Sequence, residues 1–214
     1  LMMETDACIH PYPVGTASVR RMAMEAGALG FGSIVVPGEV AGVYHGVRII
    51  PAVIISETDL KRVIGQIRRH ANSGNLVFVD AGDNGFNRAV LAQKGLNAIR
   101  CLHQIPKKAF DHISARLAYE NSIAVEIDLY PLIHEKGIFR QRVLNRYNDL
   151  MRLHSRYHFP LILSSNACSV LDLRSPDEIR LLCSLFGMEK DDTDGALQTI
   201  STLISPVESV MVAP

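Results

Sequence analysis

A parallel α/β fold, closed into a TIM-like (β/α) barrel of seven or eight mostly parallel strands, is what this 214-residue chain predicts on three observations. Short apolar runs rich in β-branched residues recur along it. Segments of helical periodicity separate them. Most of the runs are apolar at nearly every position, the pattern of strands covered on both faces. Strands each followed by a helix build a parallel sheet, and this number of units favours closure over an open sheet.

In chain order the expected strands are Thr5 to Ile9, Ser33 to Val36, Val47 to Ile55, Leu76 to Asp80, Ala98 to Leu102, Ala124 to Asp128 and Leu161 to Ser164. Gly27, Gly30 and Gly32 form GxxGxG, but they fall between a helix and the next strand. That is the wrong side for cradling a phosphate, so they are expected to be a helix stop and a turn. Ser56, with Asp59 three residues on, is expected to open the helix that ends near Gly74. Ser175-Pro176-Asp177-Glu178 reads as N-cap, first-position proline and capping acid. Ser164, Ser165 and Asn166 are expected to shape the turn after a buried strand. The acidic Glu189 to Asp194 segment is expected to be a loop. No low-complexity linker divides the chain, so one domain over residues 1–214 is expected.

Composition narrows the function. At 48% hydrophobic and 21% charged residues the chain is globular, not disordered. The longest strongly apolar run, Ile49 to Ile55, contains Pro51 and is far short of the ~20 residues of a membrane span. Glu4 and Asp6 stand where a leader would be basic, so no secretory signal is expected in the chain as given. Cys8, Cys101, Cys168 and Cys183 form no CxxC pair, and a reducing cytoplasm is the expected compartment.

The 22 basic and 22 acidic residues cancel overall, but they are unevenly placed. Residues 61–160 hold 16 basic against 8 acidic side chains, while both flanks are acidic. Sixteen of the basic residues are arginine, whose planar fork suits phosphate. Over Arg140 to His158 a helical projection gathers Arg142, Arg146, Arg152 and Arg156 with Asp149 on one face. Val143, Leu144, Tyr147, Leu150 and Met151 lie opposite. The four arginines are therefore expected on a solvent face that binds phosphate or an acidic partner. Gly82 to Gly85, leading to Arg88, and Pro106-Lys107-Lys108, leading to His112 and Arg116, lie at expected helix starts, where backbone amides favour an anion. With no tryptophan and 6% aromatics, extended base stacking is not expected.

If the fold is a barrel, residues after the carboxyl ends of its strands share one face. Asp6, His10, Glu126 and Asp128 are the candidates there for a metal-dependent phosphoesterase, although no HxH or HExxH motif occurs.

Two segments carry a resemblance. Phe110-Asp111-His112-Ile113-Ser114-Ala115-Arg116-Leu117-Ala118-Tyr119-Glu120-Asn121, followed by Ile123 to Ile127, is the first. Pro160-Leu161-Ile162-Leu163-Ser164-Ser165-Asn166-Ala167, leading to Asp172-Leu173-Arg174-Ser175-Pro176-Asp177-Glu178, is the second. With Pro131-Leu132-Ile133 and the arginine-rich helix between them, residues 76–188 resemble the ribonuclease P protein component 3 family of archaea and eukaryotes. The first 70 residues match in layout more than in motif.

The resemblance implies a barrel related to the polymerase-and-histidinol-phosphatase superfamily. It implies a protein subunit of the ribonucleoprotein that removes 5′ leaders from precursor tRNA. In that enzyme the RNA supplies the active site and magnesium serves the RNA-based holoenzyme. Component 2 is the implied direct partner, with components 1 and 4 in the same assembly. The chain itself is expected to be noncatalytic and to hold no cofactor, since its phosphoesterase relatives use an HxH motif where this chain has Asp6-Ala7-Cys8 and His10. By motif match RNA contact is carried onto His112 and Arg174, and by position onto Arg88 and Arg156. Two rival functions are a metal-dependent phosphoesterase and a protein-binding barrel for an acidic partner.

Overall fold

A computed structural model describes residues 3–204. Its parallel strands are β1 (Thr5–Asp6), β2 (Ser33–Pro37), β4 (Val47–Ile55), β5 (Leu76–Asp80), β6 (Ala98–Arg100), β7 (Ala124–Asp128) and β8 (Leu161–Ser164), hydrogen-bonded in that order. The sheet closes where the chain after β1 meets β8 and the turn that follows it. Ala7 N donates to Leu163 O at 2.9 Å, Asn166 N to Cys8 O at 2.9 Å and His10 N to Ala167 O at 2.8 Å.

Around this barrel run α1 (Val19–Leu29), α2 (Leu60–His70), α3 (Asn84–Leu91), α4 (His112–Glu120), α5 (Tyr130–His134), α6 (Gly137–Tyr157), α7 (Pro176–Ser184) and α8 (Lys190–Ile204). Among the described residues none of these helices is long and apolar enough to cross a membrane.

The barrel follows from the alternation of side chains along each strand. Ile34, Val36, Val77, Val79, Ile99, Val125, Leu161 and Leu163 point outward into the core beneath the helices. Val35, Phe78, Ala98, Ala124 and Ile162 point inward and fill the bore. Both sets are buried, which is why the strand sequences look uniformly apolar. Further toward the carboxyl ends of β5 to β8 the inward positions turn polar: Asp80 follows Phe78, Arg100 follows Ala98, Glu126 and then Asp128 follow Ala124, and Ser164 follows Ile162. The ladder register sets Asp80 beside Arg100 and Asp128 beside Ser164.

Several expectations meet their residues. Gly30 caps α1 in the left-handed region at φ 109°, ending that helix as expected. Ser175 accepts from Glu178 N and Glu178 Oε2 accepts from Ser175 N, the reciprocal cap that opens α7.

Other expectations are corrected. The cap of α2 is Asp59, whose Oδ1 accepts from Arg62 N at 2.9 Å; Ser56 instead donates to Asp80 Oδ2 at 2.6 Å on the barrel rim. β6 stops at Arg100 and not at Leu102, because Cys101 turns left-handed at φ 61°. Glu189 to Asp194 is no loop: from Lys190 it is the first turn of α8, where Asp191 and Asp192 meet the positive end of the helix dipole. α8 packs against β8 and β1, and its Ile200 joins the bore cluster. A strand absent from the sequence reading, β3 (Gly42–Tyr44), pairs antiparallel with β4. Its hairpin turns on His45 and Gly46, both at positive φ.

Phe78 is the largest side chain in the bore, and it is fully buried. Phe78→Ala is expected to lower unfolding free energy by about 3–5 kcal/mol, read as a shifted urea midpoint at unchanged slope.

Candidate functional site

At the carboxyl ends of the strands the inward polar residues converge on one cation. Arg100 comes from β6, and its side chain is 7% exposed. Its Nε donates to Glu126 Oε1 at 3.0 Å, and an Nη donates to Asn166 Oδ1 at 3.0 Å. Its other Nη lies 3.6 Å from Asp80 Oδ1. Asn166 sits in the left-handed region at φ 47°, a conformation asparagine tolerates, and also donates to Glu126 Oε1 at 3.3 Å. Burial pushes the Glu126 carboxyl up, but the Arg100 charge together with the hydrogen bonds that the group accepts, those from Arg100 and Asn166 among them, holds it below the ordinary glutamate range.

The other expected metal ligands have partners of their own. Asp6 Oδ1 accepts from Ser165 N at 3.0 Å and Cys8 N at 3.3 Å, tying β1 to the turn after β8. His10 Nε2 meets Asn166 Oδ1 at 3.0 Å. Asp128 accepts from Tyr130 N at 2.9 Å, where it starts α5. Burial raises the Asp6 carboxyl to about 6. Burial, with the Glu126 charge beside it, raises Asp128 to about 7. Burial also lowers His10 and His103, so both imidazoles favour the neutral form. Among the described residues no three His, Cys, Asp or Glu side chains are arranged to hold a metal. Asp6 and Asp128 are thus turned to backbone amides, and the Arg100 guanidinium lies among the carboxylates.

The basic residues divide into paired and free. α2, α3, α4 and α6 pack in succession on one flank of the barrel. In the middle of that flank Arg88 pairs with Asp111, Lys107 with Asp149 at 2.6 Å and Arg116 with Glu120 at 2.7 Å. Arg142, Arg152 and Arg156 of α6 are exposed and make no ion pair among the described residues, and Lys108 and His112 are also exposed. Arg174 is turned to the backbone, donating to Leu171 O at 2.8 Å and Leu173 O at 2.7 Å.

Arg146 departs from the expected solvent face. It is only 7% exposed, its Nε donates to Leu102 O at 3.1 Å, and its two Nη atoms have no partner among the described residues. The reason is angular: Arg146 lies only about 40° around the helix from buried Leu150, and its long stem packs with the apolar face.

The helix starts are corrected too. Asp83 accepts from Phe86 N, and Asp111 accepts from Ile113 N and Ser114 N. The chain's own carboxylates thus take amides that had been expected to face an external anion.

The sequence reading missed Arg100 and the basic face of α2. The signal for Arg100 was its place two residues after inward Ala98. On α2, Lys61, Arg62, Arg68 and Arg69 are all exposed, and Leu60–His70 contains no acid. The four belong to the expected basic middle segment but had not been singled out.

Fold and site together define a (β/α) barrel whose mouth holds its own buried ion pair and whose helical flank carries unpaired arginines. Residues 3–207 match the family RNase P subunit p30, and the chain belongs to that family. It is 31% identical over 202 residues to ribonuclease P protein component 3 of Methanococcoides burtonii, covering 90% of this chain and 83% of that protein. It is 26% identical over 204 residues to the component of the same name from Methanosarcina mazei, covering 91% and 85%. A chain in the cryo-EM structure of archaeal ribonuclease P with mature tRNA shares the fold at a TM-score of 0.78 and 16% identity, over 94% of this chain and 89% of that one.

Two outcomes are expected at the mouth. Arg100→Leu strands the Glu126 carboxylate in the interior, at a cost of about 3–5 kcal/mol. The loss should shrink as pH falls from 8 to 4.5, because burial without Arg100 raises the Glu126 carboxyl and lets it take up a proton in the folded protein; urea unfolding at the two pH values checks this. Asp128, whose folded value of about 7 lies above its unfolded one, makes the native protein lose stability as pH rises from about 4 through 7. Asp128→Asn removes that penalty, so its melting temperature relative to the parent should be higher at pH 8 than at pH 5. An equal difference at both pH values would contradict the shift.

Proposed function

We propose that the chain is a noncatalytic protein subunit of ribonuclease P. In this reading it binds and stabilises the catalytic RNA that removes 5′ leaders from precursor tRNA. Membership of the RNase P subunit p30 family supports this, as does the division of charge over the surface. The observation that carries it is the set of exposed arginines without acidic partners on α6 and α2. Free guanidinium groups on two helices of one flank can each displace counterions from an RNA phosphate, which favours compact RNA. Lys108 and His112 lie between them. Arg88, Lys107 and Arg116 would have to exchange their own carboxylates for phosphate, so their contribution is smaller. Arg174 and Arg146 act through the fold in this reading.

The partners proposed are the RNA, component 2 by direct contact, components 1 and 4 in the same assembly, and precursor tRNA as the substrate of the whole. The proposed setting is the cytoplasm. Magnesium belongs to the RNA, and the chain brings no metal of its own. The phosphoesterase reading loses its support at the mouth, where Arg100 is the counter-ion of Glu126.

Precursor-tRNA cleavage reconstituted with the RNA and component 2, with and without this chain, tests the reading. Stimulation is expected at modest magnesium. The double variant Arg142→Gln, Arg152→Gln should keep its melting temperature, since surface changes cost only about 0.5 kcal/mol. It should also lower the log-log salt slope of RNA binding by about 0.7 to 0.9 per arginine removed. An unchanged slope would take α6 out of the interface.

A further inference from the structure

Between α4 and α6 lies a groove of about 390 Å³, lined by His112, Ile113, Arg116, Leu117, Glu120 and Tyr157. Its chemistry is mixed in a particular way. Leu117 and Tyr157 pack partly against the main core, and Ile113 is exposed beside them, so the surface here is apolar. Tyr157 ends α6, with the Arg156 guanidinium carbon 5.5 Å from its ring centroid. Arg116 is held to Glu120 through Nε, and no other hydrogen bond of that guanidinium is made among the described residues. His112 is exposed at the first position of α4.

A phosphate alone has no use for an apolar floor and a phenol ring. An apolar side chain of a protein partner has no use for Arg116 in the lining and Arg156 beside the Tyr157 ring. A nucleobase attached to its phosphate uses both: a flat face against the ring and aliphatic carbons, and a charge against Arg116 or Arg156. We propose that this groove seats a single unpaired nucleotide of the RNA, its base against Tyr157, Ile113 and Leu117. The inference rests on the RNA-binding reading above and adds a seat for an unstacked base to a surface of phosphate contacts. Size limits it to one base, because about 390 Å³ lies near the low end of the ~300–1,000 Å³ of small-molecule pockets. The scarcity of aromatics, 6% with no tryptophan, argues against an extended stacking platform but is compatible with one such seat.

The test uses the full chain and two RNA hairpins that differ only in one unpaired 2-aminopurine bulge. The bulged hairpin is expected to bind about tenfold more tightly, the scale of one base–aromatic contact, with a change in 2-aminopurine fluorescence on binding. Tyr157→Phe should keep the preference. Tyr157→Leu, which fills the same part of the core but has no ring, should lose it while binding the plain hairpin as the parent does. Equal affinity of the parent for both hairpins, or a preference surviving in Tyr157→Leu, overturns the seat and leaves the phosphate-binding reading standing. Failure to bind either hairpin overturns that reading and the seat with it.

Discussion

The buried pair of Arg100 and Glu126 is the constraint on which the mouth of this barrel depends. Asp6, Asp80, Glu126 and Asp128 all lie at the carboxyl ends of strands, and three of them are buried. Withdrawing such charges from water costs several kcal/mol each unless a counter-charge or strong hydrogen bonds replace the solvent. Arg100 supplies the one central cation, the raised pKa values of Asp6 and Asp128 relieve part of the remaining charge, and backbone amides take the rest. The same pair organises the closure, since Asn166 bridges Arg100, Glu126 and His10 from the turn that joins β8 to the segment after β1. The rim of the barrel is thereby also a structural joint.

The chain has no net charge, so long-range attraction to a polyanion cannot come from the total. It has to come from placement. The ion pairs of Arg88, Lys107 and Arg116 with Asp111, Asp149 and Glu120 neutralise the middle of the basic flank, leaving α2 and α6 as two separate free surfaces. A paired arginine stiffens its helix and can exchange partners only at the cost of the existing contact, whereas an unpaired one meets phosphate without that cost. Counting basic residues along the chain cannot separate the two kinds.

The strands were legible because a sheet buried on both faces leaves a mark that needs no tertiary knowledge: continuous apolar runs such as Leu76 to Val79 and Leu161 to Leu163. The cap at Ser175 was legible because both of its hydrogen bonds lie within four residues. The errors have the opposite character. Ser56 has the right spacing for a cap, but Asp80 from the neighbouring strand claims its hydroxyl. The charged start of α8 looks like a loop until Ile200, ten residues on, is seen to enter the bore. Arg146 falls on the polar arc of a projection in which it is only about 40° from Leu150, and the Leu102 carbonyl draws its guanidinium in.

By itself, then, the sequence determined the parallel barrel, the position of nearly every strand, the basic middle segment and, through its motifs, the family. These rest on period, local capping and residue identity, all of which act over a few neighbours. The tertiary structure alone decided which charges meet. Arg100 and Glu126 are 26 residues apart, Arg100 and Asn166 are 66, and Lys107 and Asp149 are 42. An ion pair depends on a few ångströms of separation and on the water excluded around it. Both are properties of the folded barrel, which brings distant strands to one rim and distant helices to one flank.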